Sequence, residues 1–218
     1  MRILTRSSFQ QVTRSQRGDA VWLIHFHAGS SHGCRRLAPA LVALAASLKG
    51  LVTVGAVACD TQPSLCERQQ ITTTPTIKLL GPGTVETLTQ GGQLSQASLA
   101  KMALDRLPSH VVSLRRPRHV GQFFEHCRAT ASDGCVLLFT DKYETPPLYK
   151  RLSSVWRHRL SLGEVQAAHS SEIAAQFEVR SFPTVLYLRD GGATPETYRG
   201  EPKFAALDGF LRTKVARG

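Results

Sequence analysis

No two cysteines in this 218-residue chain are spaced Cys-x-x-Cys. That absence excludes ordinary dithiol redox chemistry. Acidic residues are scarce: 16 Asp and Glu stand against 27 Lys and Arg, giving a net charge of +11 and a pI near 10.0. An excess of this size, shared by both halves, favours contact with polyanions through phosphates rather than base edges. No apolar run is long enough to span a membrane. No phosphate loop, nucleophile elbow or RNA-binding module is present, so no cofactor is expected. His25, His27, His32 and Cys34 cluster in sequence, but no pair matches a zinc-module spacing, and no metal is expected.

Hydrophobic periodicity defines the elements. Apolar runs at 20–26, 51–57, 76–80 and 84–88 read as strands, and Leu37, Leu41, Leu44 and Leu48 mark one face of a helix that Pro39 would kink. In the second half, 111–114, 135–140, 162–167, 184–189 and 196–199 read as strands, and 120–130, 146–160, 171–178 and 203–216 as helices. Gln70-Ile-Thr-Thr-Thr-Pro-Thr-Ile-Lys-Leu-Leu and Glu178-Val-Arg-Ser-Phe-Pro-Thr-Val-Leu-Tyr-Leu superimpose with a shift of 108 residues. The chain therefore reads as α/β, with two copies of one fold joined near Leu107-Pro-Ser-His110. Each copy is expected to be a mixed central sheet flanked by helices.

Residues 21–39 carry a more specific signal. An apolar strand ends in Phe26, a turn follows, and Ser31-His-Gly-Cys34 opens Arg-Arg-Leu-Ala-Pro39. This segment, with Cys59-Asp-Thr-Gln-Pro-Ser-Leu-Cys66 and Thr74-Pro75, resembles a catalytic domain of the protein disulfide isomerase family. The resemblance implies two tandem thioredoxin-like domains. Residues 1–108 would form a catalytic-type domain with a degenerate Ser-His-Gly-Cys motif, and residues 109–218 a non-catalytic one. It implies a cis bond at Thr74-Pro75, and the repeat places Pro183 in the same role.

Against the family pattern the site is incomplete. A thiol in the first motif position, exposed at a helix N-terminus, is the thiolate nucleophile; Ser31 there stays protonated near neutral pH. Cys34 aligns with the buried cysteine that resolves mixed disulfides and rarely attacks first. His25 replaces a buried acid that assists proton transfer, although a histidine could itself move protons. Ser30 replaces a Trp, and Gln93, after Gly91-Gly92, replaces an arginine. The catalytic candidates are thus Cys34 with Ser31, His25 and Pro75, and the enzyme reading leans towards inactive. After the strand Cys135-Val-Leu-Leu-Phe139, the second copy has Thr-Asp-Lys-Tyr-Glu-Thr-Pro-Pro147, with no cysteine.

Cys59 and Cys66 match a structural disulfide of many isomerase domains, with two buried free thiols as the alternative. For Cys127 and Cys135, apolar packing is preferred over a bond. The polyanion-contact candidates are Arg115, Arg116 and Arg118, and Arg151, Arg157 and Arg159, the last set on a helix with Trp156. Read from Met1, the first 18 residues are rich in Arg and Ser without an acid, as in a mitochondrial presequence. The C-terminal Lys-Val-Ala-Arg-Gly218 is no ER-retention signal. The expected location is mitochondrial, with the ER lumen as alternative. The expected function is a redox-inactive structural subunit of a large RNA-containing assembly such as a mitochondrial ribosome. It would meet protein subunits and RNA phosphates without membrane insertion. The alternative is an ER-type monothiol isomerase or chaperone.

Overall fold

The computed structural model describes residues 1–14, 19–89, 95–130, 133–166, 170–189 and 194–215. The chain divides into two compact units, Met1–Leu107 and Pro108–Gly218. In the first unit the order is β1 (Arg2–Ile3), α1 (Arg6–Arg14), β2 (Trp22–His27), α2 (His32–Ser47), β3 (Thr53–Ala58), α3 (Pro63–Arg68), β4 (Thr76–Gly81), β5 (Thr84–Thr89) and α4 (Gln96–Asp105). The strands lie in the order β1-β3-β2-β4-β5. β1, β3 and β2 run parallel, and β4 and β5 return antiparallel. In the second unit the elements are β6 (Val112–Ser113), α5 (Pro117–Thr130), β7 (Cys135–Thr140), α6 (Pro147–Trp156), β8 (Ser161–Gln166), α7 (Ser171–Gln176), β9 (Thr184–Leu188), β10 (Glu196–Thr197) and α8 (Phe204–Val215). Their sheet order is β10-β9-β7-β8-β6.

Alternation along β2 sorts its side chains onto two faces. Leu23 points to a core built with Leu41 and Leu44 of α2 and Leu99 and Ala103 of α4. Trp22, Ile24 and Phe26 point to the other side, against Phe9 and Val12 of α1 and Leu65 of α3. Each such leucine contributes about 2 kcal/mol by leaving water. That suffices to carry α2 unbroken through exposed Pro39, whose missing N–H leaves the Arg35 carbonyl without its helical donor. The second unit repeats the plan, with Phe123, Leu137, Phe139 and Ile173 on one face and Val136, Leu138, Tyr149, Leu152 and Leu211 on the other.

The 108-residue shift is also a shift of backbone geometry. Thr74–Pro75 and Phe182–Pro183 are both cis, and Gln70 and Glu178 both adopt the left-handed region at φ 56° and 54°. Gly55 and Gly163 are equivalent in the same way. A Cβ on Gly55 would lie 2.7 Å from Leu4 Cδ1, and one on Gly163 would lie 2.9 Å from Leu137 Cδ2. At both positions a side chain would require the neighbouring leucine to shift.

Details differ from expectation. The single-turn α3 escapes periodicity because six residues show too little of a stripe. α6 ends at Trp156, so Arg157 is its C-cap and Arg159 lies beyond it. Cys127 and Cys135 are bonded, joining the end of α5 to the start of β7 across a Cα separation of 6.1 Å. Among the described residues, no helix is long and apolar enough to cross a membrane.

Candidate functional site

The candidate site lies where β2 gives way to α2. Ser31 is the N-cap, in extended conformation at φ −74° and ψ 117°. Its Oγ accepts the N–H of Cys34 at 3.3 Å and donates to the Thr74 carbonyl at 3.1 Å. The hydroxyl so placed caps the helix and ties its first turn to the Thr74 carbonyl. Cys34, in the first turn of α2, is the free cysteine among the described residues and is buried.

The turn before the helix is held from both sides. The N–H of Gly29 donates to Asp60 Oδ2 at 2.6 Å, and Arg35 Nη1 donates to the carbonyls of Gly29 and Ser30 at 2.9 and 3.2 Å. Cys59 and Cys66 are bonded, with Cα atoms 5.7 Å apart, and fasten the β3–α3 turn that carries Asp60. The opposite wall is the loop from Gln70 to Pro75. Buried Lys78 on β4 donates to the Gln69 carbonyl at 2.7 Å, closing the C-terminus of α3 from which that loop departs. Burial holds the Lys78 amine below its usual pKa.

His25 sits in mid-β2, on the face covered by α2. It is 2% exposed, and its Nε2 has no hydrogen-bond partner. Burial, and secondarily the neighbouring His27 ring with its centroid 5.3 Å away, lowers its pKa to about 4. It is therefore neutral at physiological pH. Among the described residues, no group of three or more His, Cys, Asp or Glu is arranged to hold a metal ion. Gln93 lies outside the described residues.

In the second unit the corresponding end of the sheet carries a different device. Glu164 of β8 is 4% exposed; Oε1 accepts from Thr145 Oγ1 at 2.8 Å, and Oε2 has no partner. Burial raises its pKa against the opposing effects of the Thr145 hydrogen bond and the Lys150 and Arg115 charges. Beside it, the Tyr149 hydroxyl reaches the Val136 and Gly163 carbonyls at 3.0 and 2.9 Å.

The six arginine candidates all lie in the second unit, on or beside α5 and α6. Arg115, Arg116 and Arg118 are exposed around the N-terminus of α5, whose first turn has no acid. Arg151 is half-buried on α6, and Arg157 lies at that helix's C-terminal end. Arg159 is paired with Asp133 at 2.6 Å. Sequence reading missed Glu164, Lys78 and Asp60. The first two are charged residues inside strands, in Ser-Leu-Gly-Glu-Val-Gln and Thr-Ile-Lys-Leu-Leu, and in the second of these the apolar flanks were the available signal.

The family described as Thioredoxin matches residues 1–105. A Dictyostelium discoideum protein named for protein disulfide-isomerase is 33% identical over 216 residues, covering 95% of this chain and 51% of that one. A mitochondrial thioredoxin domain-containing protein of Schizosaccharomyces pombe is 30% identical over 138 residues, covering 61% of this chain and 37% of that protein. The crystal structure of full-length ERdj5 shares the fold, with a TM-score of 0.62 at 19% identity over 99% of this chain and 32% of that one. The chain spans about half the length, or less, of these proteins.

Proposed function

Because the chain belongs to the thioredoxin-like, protein disulfide isomerase-related family, we propose that it acts in protein folding as a redox-silent member. It would hold client segments without covalent capture, on the surface where the α2 N-terminus meets the Thr74–Pro75 turn. One observation carries this reading. The oxygen of Ser31 stands where exchange would need an attacking thiolate, and it is engaged with Thr74 and Cys34. Thiol–disulfide exchange begins with thiolate attack through a mixed disulfide, and buried Cys34 offers no accessible sulfur to replace the missing one.

The names of the isomerase relatives support a folding role over the subunit role expected from sequence. The two disulfides support an oxidising, ER-type compartment. The mitochondrial relative keeps the second address in view. The net charge of +11 favours a second reading, in which the same silent module is a subunit of a polyanion-rich assembly such as a mitochondrial ribosome.

Binding of an unstructured peptide that carries one free cysteine tests the client reading. Equal affinity in dithiothreitol and in oxidised glutathione, unchanged in Cys34→Ser, is the expected result. Binding that disappears in either redox buffer, or with Cys34→Ser, would overturn it.

A further inference from the structure

Sheet edges expose unpaired backbone, and this chain treats its edges unequally. Of the four edge strands among the described residues, β1, β6 and β10 are two residues long, too short to template another strand. In contrast β5 runs for six residues, Thr-Val-Glu-Thr-Leu-Thr. It pairs with β4 one residue against one, from Thr84 against Gly81 to Thr89 against Thr76, so no bulge interrupts its outer row of N–H and C=O groups. Lysine and proline, common guards of such an edge, are missing from it. Its single charge, Glu86, is engaged by Arg106 at the C-cap of α4, and Arg106 Nη1 also donates to Thr84 Oγ1 at 2.9 Å. The helix thus holds the strand in its extended form.

The basic excess also stops here. Residues 79–100 contain no lysine or arginine, although the chain has 27, and Glu86 is their one charged residue. Two copies carrying +11 each repel one another, and a segment free of cations is where they can approach. We propose that β5 is a self-association edge, to which β5 of a second copy adds antiparallel across a two-fold axis, joining two five-stranded sheets through backbone hydrogen bonds. Centred on Thr87, this pairing sets Thr87 opposite Thr87, Glu86 opposite Leu88 and Val85 opposite Thr89, strand residue against strand residue throughout. Centred on Glu86, it would set carboxylate against carboxylate, which is unfavourable. On the face away from Leu88, exposed Thr87 and Val85, the latter 56% exposed, form the row that gains a neighbour. A second copy brings a strand of matching length, register and low charge; an extended client segment is the other occupant.

The test is sedimentation velocity of the full chain. A monomer–dimer equilibrium should appear between about 1 and 100 μM and shift towards dimer as salt screens the net positive charge. Thr87→Lys, which sets two lysines face to face on the axis, should raise the dissociation constant about tenfold or more. Thr87→Cys in a Cys34→Ser background, treated with a short bismaleimide, should give a covalent dimer, and this decides the matter if the lysine variant fails to fold. A wild type that is monomeric throughout, a dimer indifferent to Thr87→Lys, or no covalent dimer from Thr87→Cys would each overturn the proposal. If the wild type stays monomeric and binds an extended peptide that Thr87→Lys expels, the edge belongs to clients and the self-association proposal falls.

Discussion

The hydroxyl of Ser31 lies 3.1 Å from the carbonyl oxygen of Thr74, 43 residues away in the chain. One oxygen thereby ties the start of α2 to the residue before the cis-proline while also capping the helix. Ser31→Ala removes both contacts and should cost about 1 kcal/mol, the usual worth of an N-cap side chain. Urea unfolding of the two proteins measures it. An unchanged midpoint would show that the hydroxyl holds nothing.

Two buried titratable groups act on stability in opposite directions. Unfolded His25 takes up a proton near its ordinary pKa of 6.5, whereas the folded residue resists until about 4. Its contribution is present above pH 6.5 and is lost as pH falls towards 4, to an extent on the order of 2–3 kcal/mol. His25→Leu should flatten that acid slope. Glu164 has its folded pKa raised, so its neutral form suits the fold. Its contribution is present below the unfolded carboxyl pKa and is lost as pH rises through the folded value, so Glu164→Gln should raise the melting temperature at pH 8. Melts from pH 4 to 8 check both signs.

The cysteines give a chemical count. Alkylation of the oxidised, unfolded chain should find one free thiol, Cys34, and the native protein should react far more slowly because that sulfur is buried. Each disulfide closes a short loop, for which chain-entropy estimates give about 2–3 kcal/mol. The double variants Cys59→Ala/Cys66→Ala and Cys127→Ala/Cys135→Ala should each lose roughly that much in denaturant titration.

Much of the fold was legible in the residues themselves. Leu37, Leu41, Leu44 and Leu48 announce the buried face of α2, and the two X-Pro segments related by 108 residues announce the repeat. What was not legible depended on distance in sequence or on a single side chain overriding its pattern. The Ser31–Thr74 contact spans 43 residues, and nothing local specifies it. Glu164 and Lys78 look like the solvent-facing members of strands, yet helices cover both faces of each sheet, and each side chain is buried with a hydrogen bond to a specific partner. The Cys127–Cys135 bond was discounted in favour of ordinary apolar packing; the helix-to-strand turn brings the two sulfurs together instead.

Retention on a heparin column should follow the exposed arginines and not the paired one. Replacing Arg115, Arg116 and Arg118 with Gln should lower the salt needed for elution, since each neutralised anionic group adds to the salt dependence. Arg159→Gln should move it little, because Asp133 already engages that guanidinium. Equal effects from both would place polyanion contact elsewhere on the surface.

The proposal that the chain is redox-silent is tested most directly by reduction of insulin in dithiothreitol, comparing the wild-type protein with Ser31→Cys. The wild type should stay at the uncatalysed rate, and Ser31→Cys, which restores Cys-His-Gly-Cys at the helix N-terminus, should gain measurable activity. Wild-type turnover comparable to that of a dithiol isomerase, abolished by Cys34→Ser, would contradict the redox-silent assignment.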